Sequence, residues 1–314
     1  MAHFFVVGDA TVDQMYFVND FPEHGGEVPA VRAVMEPGGS GGTVATVLAR
    51  LGNPTRIATR VGTGPFSALA LRNIVDAGVD TSLIQKDPDL QTSSIMLIIT
   101  PDAQRTMISA AGASRQLDSA ELEEAAVAEC DALVMSAYSL IGGPQKEYAL
   151  QALAYAHKHK LTTFVDLGTG AVKAMQRRLV DTLRDVDYWL MNEHELYLLT
   201  GRSSISDAVH DLRGVGVEQL VVKVGAMGSI VITAESNELV EAHEIDVVVD
   251  STGAGDYFTA AFAHAVMAGH DIHEAARYGN VAGALNTTRV GAQSLVLDEA
   301  TLRRHAAVLS DAPA

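Results

Sequence analysis

Asp250-Ser251-Thr252-Gly253-Ala254-Gly255-Asp256 is the most informative segment of this 314-residue chain, and an amphipathic helix is predicted directly after it, from Tyr257. Small residues in its turn, Gly253, Ala254 and Gly255, leave successive backbone N–H groups pointing into a concavity at the helix start. Such a concavity stabilises developing negative charge, as on a transferring phosphoryl group. The segment therefore predicts an anion hole.

Asp256 ends this segment, beside the predicted anion hole. If the loop only bound phosphate, a carboxylate there would repel it. A carboxylate suits a base that takes the proton of a hydroxyl group while the turn holds the phosphoryl group. The sequence therefore predicts Asp256 as a general base. A helix-capping turn, in which Asp256 complements the helix dipole, is the local alternative.

A second glycine-rich segment, Pro37-Gly38-Gly39-Ser40-Gly41-Gly42-Thr43, precedes a helix predicted to start near Val44. Glycines let a backbone approach a ligand closely, and the helix start offers unpaired N–H donors. A tight turn with Ser40 or Thr43 as N-cap explains the segment equally well. It also contains G-x-S-x-G, the pattern of a hydrolase nucleophile elbow, but Glu36-Pro37 interrupts the strand that an elbow requires.

Two shorter segments fit either ligand binding or local structure. Val224-Gly225-Ala226-Met227-Gly228 follows a predicted strand and either wraps a nucleotide or forms a hairpin turn. Asn192-Glu193-His194-Glu195 opens a helix, where its carboxylates either organise Mg²⁺ through water or take part in a capping box. Neither G-x-x-x-x-G-K-[ST] nor G-x-G-x-x-G occurs, which disfavours a Walker-type NTPase and a simple Rossmann dehydrogenase.

Short apolar runs alternate with amphipathic helical stretches over the rest of the chain. This alternation is typical of a parallel sheet with helices on both faces, so we expect a doubly wound α/β fold. The predicted strands are Phe4–Gly8, Arg56–Val61, Ala132–Ser136, Thr162–Asp166, Tyr188–Met191 and Leu220–Val224.

Two regions, Gln14–Met35 and Thr92–Ala110, have the pattern of paired strands with no helix between them. Such pieces can form a small accessory sheet that covers a site at the carboxyl ends of the main strands. No tandem repeat or Pro- and Ser-rich linker marks a domain boundary. We therefore expect a single domain over residues 1–314, with a small β-sheet lid inserted at 14–35 and 92–110.

The composition limits the range of functions. With 22 basic and 39 acidic residues the net charge is −17, which repels phosphate backbones and anionic lipid, so neither nucleic acid nor a membrane is an expected partner. The apolar run Phe4–Val7 is too short for a signal peptide or a membrane span. The lone Cys130 suits a reducing compartment, so we expect a cytoplasmic protein that acts on a small molecule.

Taken in order, Gly38-Gly39…Thr43, Asn192-x-x-Glu195, Gly225-x-x-Gly228 and the segment 250–256 resemble the ribokinase-like (PfkB) family of carbohydrate and nucleoside kinases. The resemblance covers essentially the entire chain, and the segment 250–256 is its most specific part. It implies a ribokinase-like α/β domain with a β-sheet lid that often serves as a homodimer clasp. It also implies an ATP-dependent enzyme that requires Mg²⁺.

The resemblance implies a role for each matching position. Asp256 would be the catalytic base, and Gly253, Ala254 and Gly255 the anion hole for the γ-phosphoryl group. The other positions are grouped by ligand: Asp13, Gly38, Gly39 and Thr43 for the acceptor substrate; Lys223, Gly225, Gly228 and Asn280 for the nucleotide; Asn192 and Glu195 for magnesium and phosphate; and Asp250 and Thr252 for a potassium ion.

The chain departs from the family pattern at three places. Thr43 stands where Asn is common, which alters the contact to the acceptor. Asp166-Leu167-Gly168-Thr169-Gly170 stands where Asp-x-Asn-x-Arg is usual, so Gly168 and Gly170 lack two polar side chains. The segment 62–66 lacks the acidic residues often found there.

Three hypotheses follow from these patterns. The leading one is a kinase that transfers the γ-phosphoryl group of ATP in line to a primary hydroxyl of a sugar, a sugar derivative or a nucleoside. The departures at Thr43, Gly168 and Gly170 motivate the second, a sugar or nucleotide sensor on the same fold. The third is a serine hydrolase that uses Ser40.

Overall fold

The computed structural model describes residues 1–102, 105–217 and 219–310, and thirteen β-strands and eleven α-helices lie within these ranges. The strands are β1 (Phe4–Val7), β2 (Thr11–Val18), β3 (Ala30–Gly38), β4 (Thr55–Gly62), β5 (Ile84–Asp87), β6 (Ser94–Ile99), β7 (Arg105–Ala110), β8 (Ala132–Ser136), β9 (Thr162–Asp166), β10 (Tyr188–Asn192), β11 (Leu220–Lys223), β12 (Gly228–Ile232) and β13 (Asn237–Glu241). The helices are α1 (Ser40–Arg50), α2 (Pro65–Asp76), α3 (Glu124–Ala128), α4 (Pro144–His159), α5 (Thr169–Met175), α6 (Arg177–Leu183), α7 (Glu193–Thr200), α8 (Ile205–Arg213), α9 (Ala254–Met267), α10 (Ile272–Asn286) and α11 (Glu299–Ser310).

Nine strands form the central sheet, in the order β13-β12-β11-β10-β9-β8-β1-β4-β5. The strands from β11 to β5 are parallel, and β12 and β13 continue the sheet as antiparallel strands at one edge. All six strands predicted from apolar runs are present, with boundaries that differ by at most one residue.

Helices cover both faces of this sheet. Along β1, Phe5 and Val7 pack into a core that includes helices α4 to α8, and Phe4 and Val6 pack into a second core with α1, α9, α10 and α11. All four residues are buried, as expected for a central parallel strand between two helical layers. The doubly wound α/β prediction is confirmed. No helix in the described ranges has the length and apolar character to cross a bilayer.

A separate four-stranded sheet, which we call the lid sheet, has the order β3-β2-β6-β7. It is built from the two regions predicted at 14–35 and 92–110, so the small second sheet is confirmed, although Ala103 and Gln104 of the β6–β7 connection lie outside the described residues. Side chains alternate between its two faces. Its movement as a lid, and the division of the chain as one domain with insertions, remain predictions.

Candidate active site

A cleft of about 1470 Å³ opens between the central sheet and the lid sheet. Parallel strands present their carboxyl ends along one edge of a sheet, which is where α/β proteins bind ligands. Four polar side chains reach the cleft from the ends of adjacent strands: Ser136, Asp166, Asn192 and Lys223. Of these, only Asn192 and Lys223 were among the residues predicted to bind a ligand.

Asp256 lies deep in the cleft, in the first turn of α9. The helix begins at Ala254, three residues before the predicted start at Tyr257. The hydroxyl of Ser40, the first residue of α1, donates to Asp256 Oδ1 at 2.6 Å. Burial and the charge of Asp166 raise the pKa of Asp256 to about 7, and the hydrogen bond from Ser40 opposes this rise. A carboxyl group with this pKa can accept a proton near neutral pH.

The turn before α9 has the geometry of an anion hole. Gly253 has φ 79°, a backbone conformation that favours glycine. A Cβ at position 253 would also come within 2.7 Å of the carbonyl oxygen of Ala292, so only glycine fits. The N–H of Ala254 donates to Ser251 O at 3.3 Å. The N–H groups of Gly255 and Asp256 belong to the first helical turn and have no acceptor among the described residues.

Lys223 brings a positive charge to this turn. Its Nζ lies 3.4 Å from the position that a Cβ would occupy at Gly255. Both carboxylate oxygens of Asp166 accept hydrogen bonds from this Nζ, at 2.8 and 2.9 Å. Thr259 also donates to Asp166, at 2.7 Å. Burial alone would lower the pKa of Lys223, but the surrounding carboxylates, Asp166 first, raise it. Lys223 was predicted to bind the nucleotide, whereas the structure pairs it with Asp166.

Asn192 and Glu195 form the capping box that was the local alternative to a magnesium site. Asn192 Oδ1 accepts from the backbone N–H of Glu195 at 2.8 Å, and Glu195 Oε2 accepts from that of Asn192 at 2.9 Å. Glu195 Oε1 accepts from the Thr169 hydroxyl at 3.0 Å. Both residues nevertheless line the cleft, and burial raises the pKa of Glu195. Their part in magnesium binding stays a prediction.

On the lid-sheet side, Asp13 projects into the cleft from β2 although it is only 3% exposed. The hydroxyl of Thr11 donates to it at 2.9 Å, and burial raises the pKa of Asp13 to about 6. Gly38 packs against this carboxylate, and a Cβ at Gly38 would overlap it. Gly39 lines the cleft at the start of α1. The structure therefore brings Asp13 and Gly39 to the cleft and uses Gly38 to make room for Asp13.

Thr43, which was predicted to contact the acceptor, does not line the cleft in this structure. Thr43 is completely buried inside α1, and its hydroxyl accepts from Gln293 Nε2 at 3.4 Å, away from the cleft. The physical reason is the start of α1 at Ser40 instead of near Val44, which turns Thr43 into the core and leaves Ser40 at the cleft. Ser40 was considered only as a cap or a nucleophile.

Of the residues predicted to bind the nucleotide, Gly225, Gly228 and Asn280 also line the cleft. Gly225 and Gly228 flank the turn between the antiparallel strands β11 and β12, so this segment is a hairpin turn that also lines the cleft. Asn280 lines the cleft too, and its side-chain amide donates to the carbonyl oxygens of Val240 at 2.9 Å and Glu241 at 3.1 Å. Asn280 thus fixes the end of β13 against α10.

Asp250 and Thr252, predicted to hold a potassium ion, already have partners. Asp250 Oδ1 accepts from the N–H and the hydroxyl of Thr252, and Oδ2 accepts from the N–H of Gly291. Arg105 of the lid sheet donates to the Thr252 hydroxyl at 2.9 Å and lies 4.0 Å from Asp250 Oδ1. Because a guanidinium ion supplies the positive charge here, these residues as placed do not fit a potassium ion.

This fold, with a carboxylate at a glycine-rich helix start between a central sheet and a lid sheet, defines an α/β phosphotransferase. The sequence model described as pfkB family carbohydrate kinase matches residues 1–299, and the chain belongs to this family. It is therefore a kinase that phosphorylates an alcohol group. Membership of a kinase family disfavours the hydrolase hypothesis, and among the described cleft residues the one histidine, His243, bonds to His305 and not to Ser40.

Several kinases resemble the chain along its full length. A deoxyribokinase from Salmonella typhi is 24% identical over 296 residues, which cover 92% of this chain and 94% of that protein. The structure of an adenosine kinase from Sinorhizobium meliloti gives a TM-score of 0.88 at 24% identity, over 97% of this chain and 99% of the other. A ribokinase from Arabidopsis thaliana, solved in complex with ribose and ATP, gives 0.84 at 24% identity, over 97% and 98%.

The hydrogen bond from Ser40 to Asp256 leads to a testable pH dependence. Because this bond favours the ionised carboxylate, Ser40→Ala should raise the pKa of Asp256. A hydrogen bond to a charged group contributes about 1.5 kcal/mol, which corresponds to a rise of about one pKa unit. The acid limb of kcat/KM against pH should then move upward from its wild-type position near pH 7. Thr46→Ala, on the same helix but bonded to Gly42 O, is the control. An unmoved limb in Ser40→Ala would contradict the assignment.

Proposed function

We propose that this protein is an ATP-dependent, Mg²⁺-requiring kinase that phosphorylates a hydroxyl group of a sugar, a sugar derivative or a nucleoside, with Asp256 as general base. The observation that carries the proposal is the Asp256 carboxylate, which lies in the cleft beside the free first-turn N–H groups of α9. A group that accepts protons and a group that binds anions are therefore adjacent, as transfer of a phosphoryl group to an alcohol requires.

In the proposed reaction the acceptor hydroxyl gives its proton to Asp256 as its oxygen forms a bond to the γ-phosphorus. The bond between this phosphorus and the bridging oxygen breaks, and ADP leaves with the electron pair. The N–H of Gly255 and the Lys223 ammonium lie where they stabilise the charge of the phosphoryl oxygens during transfer. The Asp13 carboxylate accepts one hydrogen bond from Thr11, so it has lone pairs left to accept hydrogen bonds from hydroxyl groups of the acceptor.

The nucleotide is assigned to the part of the cleft that is lined by the β11–β12 turn and Asn280. The residues near the anion hole fit a magnesium ion. Glu195 and Asp166 bring two carboxylates against the single ammonium of Lys223, and Glu195 has lone pairs left for water ligands of Mg²⁺. When bound, magnesium would offset the negative charge of the triphosphate.

Three further proposals concern the protein as a whole. The lid sheet closes over the acceptor and excludes water, which limits hydrolysis of ATP. The chain forms a homodimer through the lid sheet, whose outer face exposes Met35, Met96 and Ile108. The protein works in the cytoplasm, where ATP is available and the single Cys130 stays reduced.

The proposed function is tested by ADP release with a panel of pentoses, hexoses, polyols and nucleosides, each confirmed by the mass of the phosphorylated product. We expect turnover that requires both ATP and Mg²⁺ and that is unchanged when potassium replaces sodium, since Arg105 contacts Thr252 and lies near Asp250, the residues predicted to hold that ion. Binding of ATP without phosphorylation of any alcohol would instead favour a sensor.

A further inference from the structure

The acceptor end of the cleft is enclosed by a small set of side chains around Asp256. Asp13 and Ser40 lie on one side, Tyr138 follows β8, and the lid sheet contributes Ile95, Leu97 and Met107. Strand register explains the lid-sheet contribution, because Ile95 pairs with Asp13, and Leu97 with Met107. The intervening residues of β6 and β7, such as Ile108, belong to the outer face.

Basic side chains are missing from this wall. Among the described residues that line the cleft, Lys223 is the one lysine or arginine. Its ammonium forms an ion pair with Asp166 at 2.8 Å. Arg105 lies near the lid sheet's inner face but is held by Thr252 and does not line the cleft. The carboxylates that line the cleft, in contrast, are Asp13, Asp166, Glu195, Glu241, Glu244, Asp246 and Asp256.

The loop after β9 does not add a cation either, because Tyr138 fills the space above it. A Cβ at Gly168 would come within 2.5 Å of the Tyr138 ring, and a Cβ at Gly170 within 2.7 Å. The Tyr138 hydroxyl also accepts from the N–H of Gly170 at 3.4 Å. Any longer side chain at either glycine would displace the ring. The wall therefore presents the neutral Tyr138 ring at this position, in place of a longer side chain from the loop.

We propose that the acceptor is an uncharged polyhydroxy compound, a free sugar, polyol or nucleoside, and that sugar phosphates and sugar acids are excluded. The inference rests on the proposed kinase function and narrows its substrate class. A phosphate or carboxylate at this end would lie between Asp13, Asp256 and apolar lid-sheet residues, with no cation to offset its charge. Hydroxyl groups can instead donate to Asp13, and the apolar face of the acceptor can pack on Leu97 and Met107.

The test compares acceptors that share a free primary hydroxyl and differ by one anionic group: fructose with fructose 1-phosphate and with fructose 6-phosphate, sorbitol with gluconate, and adenosine with adenosine 3′-monophosphate. In each active pair we expect the neutral member to have the higher kcat/KM, by about 100-fold or more. If an anionic member is turned over within tenfold of its neutral partner, the inference is overturned and the kinase function stands. If ATP binds and no member of any pair is phosphorylated, the proposed function falls, and the inference with it.

A matched pair of variants on β7 tests the wall itself. Met107 and Ile108 are adjacent and similarly exposed, at 60% and 58%, but Met107 lines the cleft and Ile108 lies on the outer face. Met107→Arg should raise the ratio of kcat/KM for an anionic acceptor to that for its neutral partner by about tenfold. Ile108→Arg should leave this ratio unchanged. Equal effects of the two variants, or no effect of Met107→Arg, would contradict the proposed wall.

Discussion

Replacing Asp256 by Asn should lower kcat by about 10³-fold, within the range that general bases contribute. The amide cannot take the acceptor proton, whereas the backbone anion hole and the nucleotide end of the cleft are unchanged. ATP should therefore bind Asp256→Asn with wild-type affinity, which calorimetric titration in the presence of Mg²⁺ would measure. Near-normal turnover in this variant would rule out Asp256 as the base.

The same variant should be more stable than the wild type at alkaline pH, which separates loss of chemistry from loss of fold. Burial raises the pKa of Asp256 from 3.8 to about 7, so ionising it costs the folded state more than the unfolded state. This cost is absent below about pH 4, grows as the pH rises and is complete above about pH 7. At pH 8 we expect Asp256→Asn to gain on the order of 2 kcal/mol in free energy of unfolding.

Asp187→Asn provides the matched control. Asp187 immediately precedes β10, so it lies at the amino-terminal ends of the parallel strands and the cleft lies at their carboxyl ends. Its carboxylate accepts from the N–H and hydroxyl of Thr163 at 2.8 and 2.7 Å. Its replacement should lower stability and leave kcat unchanged. If Asp256→Asn instead unfolds more easily than the wild type at pH 8, the carboxylate stabilises the fold, and the functional interpretation of its burial is wrong.

The strands of the central sheet were predictable because a strand that is buried on both faces consists mainly of apolar residues. Ala132–Ser136 and Thr162–Asp166 were placed at the observed residues, since a parallel strand between two helical layers is a short apolar run. The lid sheet was predictable for the opposite reason. Its strands are joined without helices, which leaves paired β patterns in the sequence.

Helix starts, and polar contacts between residues far apart in the sequence, could be predicted less well from the sequence. Glycines at 38–42 conceal whether α1 begins at Ser40 or near Val44, because glycine is compatible with both turn and helix. The acceptor role of Thr43 was implied by the family resemblance, and the sequence did not show that a helix start at Ser40 buries this residue. No local pattern indicated that Arg105 reaches Thr252, 147 residues away. Asp166 stands at the first position of the family pattern Asp-x-Asn-x-Arg, and a comparison of the polar ends of the parallel strands would have placed it near Lys223.

Lys223 is the residue whose loss should next most strongly reduce catalysis. Its ammonium lies against Gly255 and is held by Asp166, so it adds a fixed positive charge to the backbone anion hole. Lys223→Met should lower kcat by about 10²- to 10³-fold, the effect of removing one donor that stabilises the transition state. The acid limb of the pH profile should also rise above pH 7, because Lys223 lowers the pKa of Asp256 and the uncompensated Asp166 would raise it further.

Two further variants distinguish this catalytic role from a structural one. Arg60→Met breaks another partly buried ion pair, with Asp87 at 3.0 Å, on β4. This variant should lower the free energy of unfolding without moving the acid limb. In the double variant Asp166→Leu with Lys223→Met the carboxylate that pairs with Lys223 is removed together with the ammonium, so thermal stability should recover in part while kcat remains low. Recovery of kcat together with stability would show that Lys223 only neutralises Asp166 and that backbone N–H groups alone stabilise the transferring phosphoryl group.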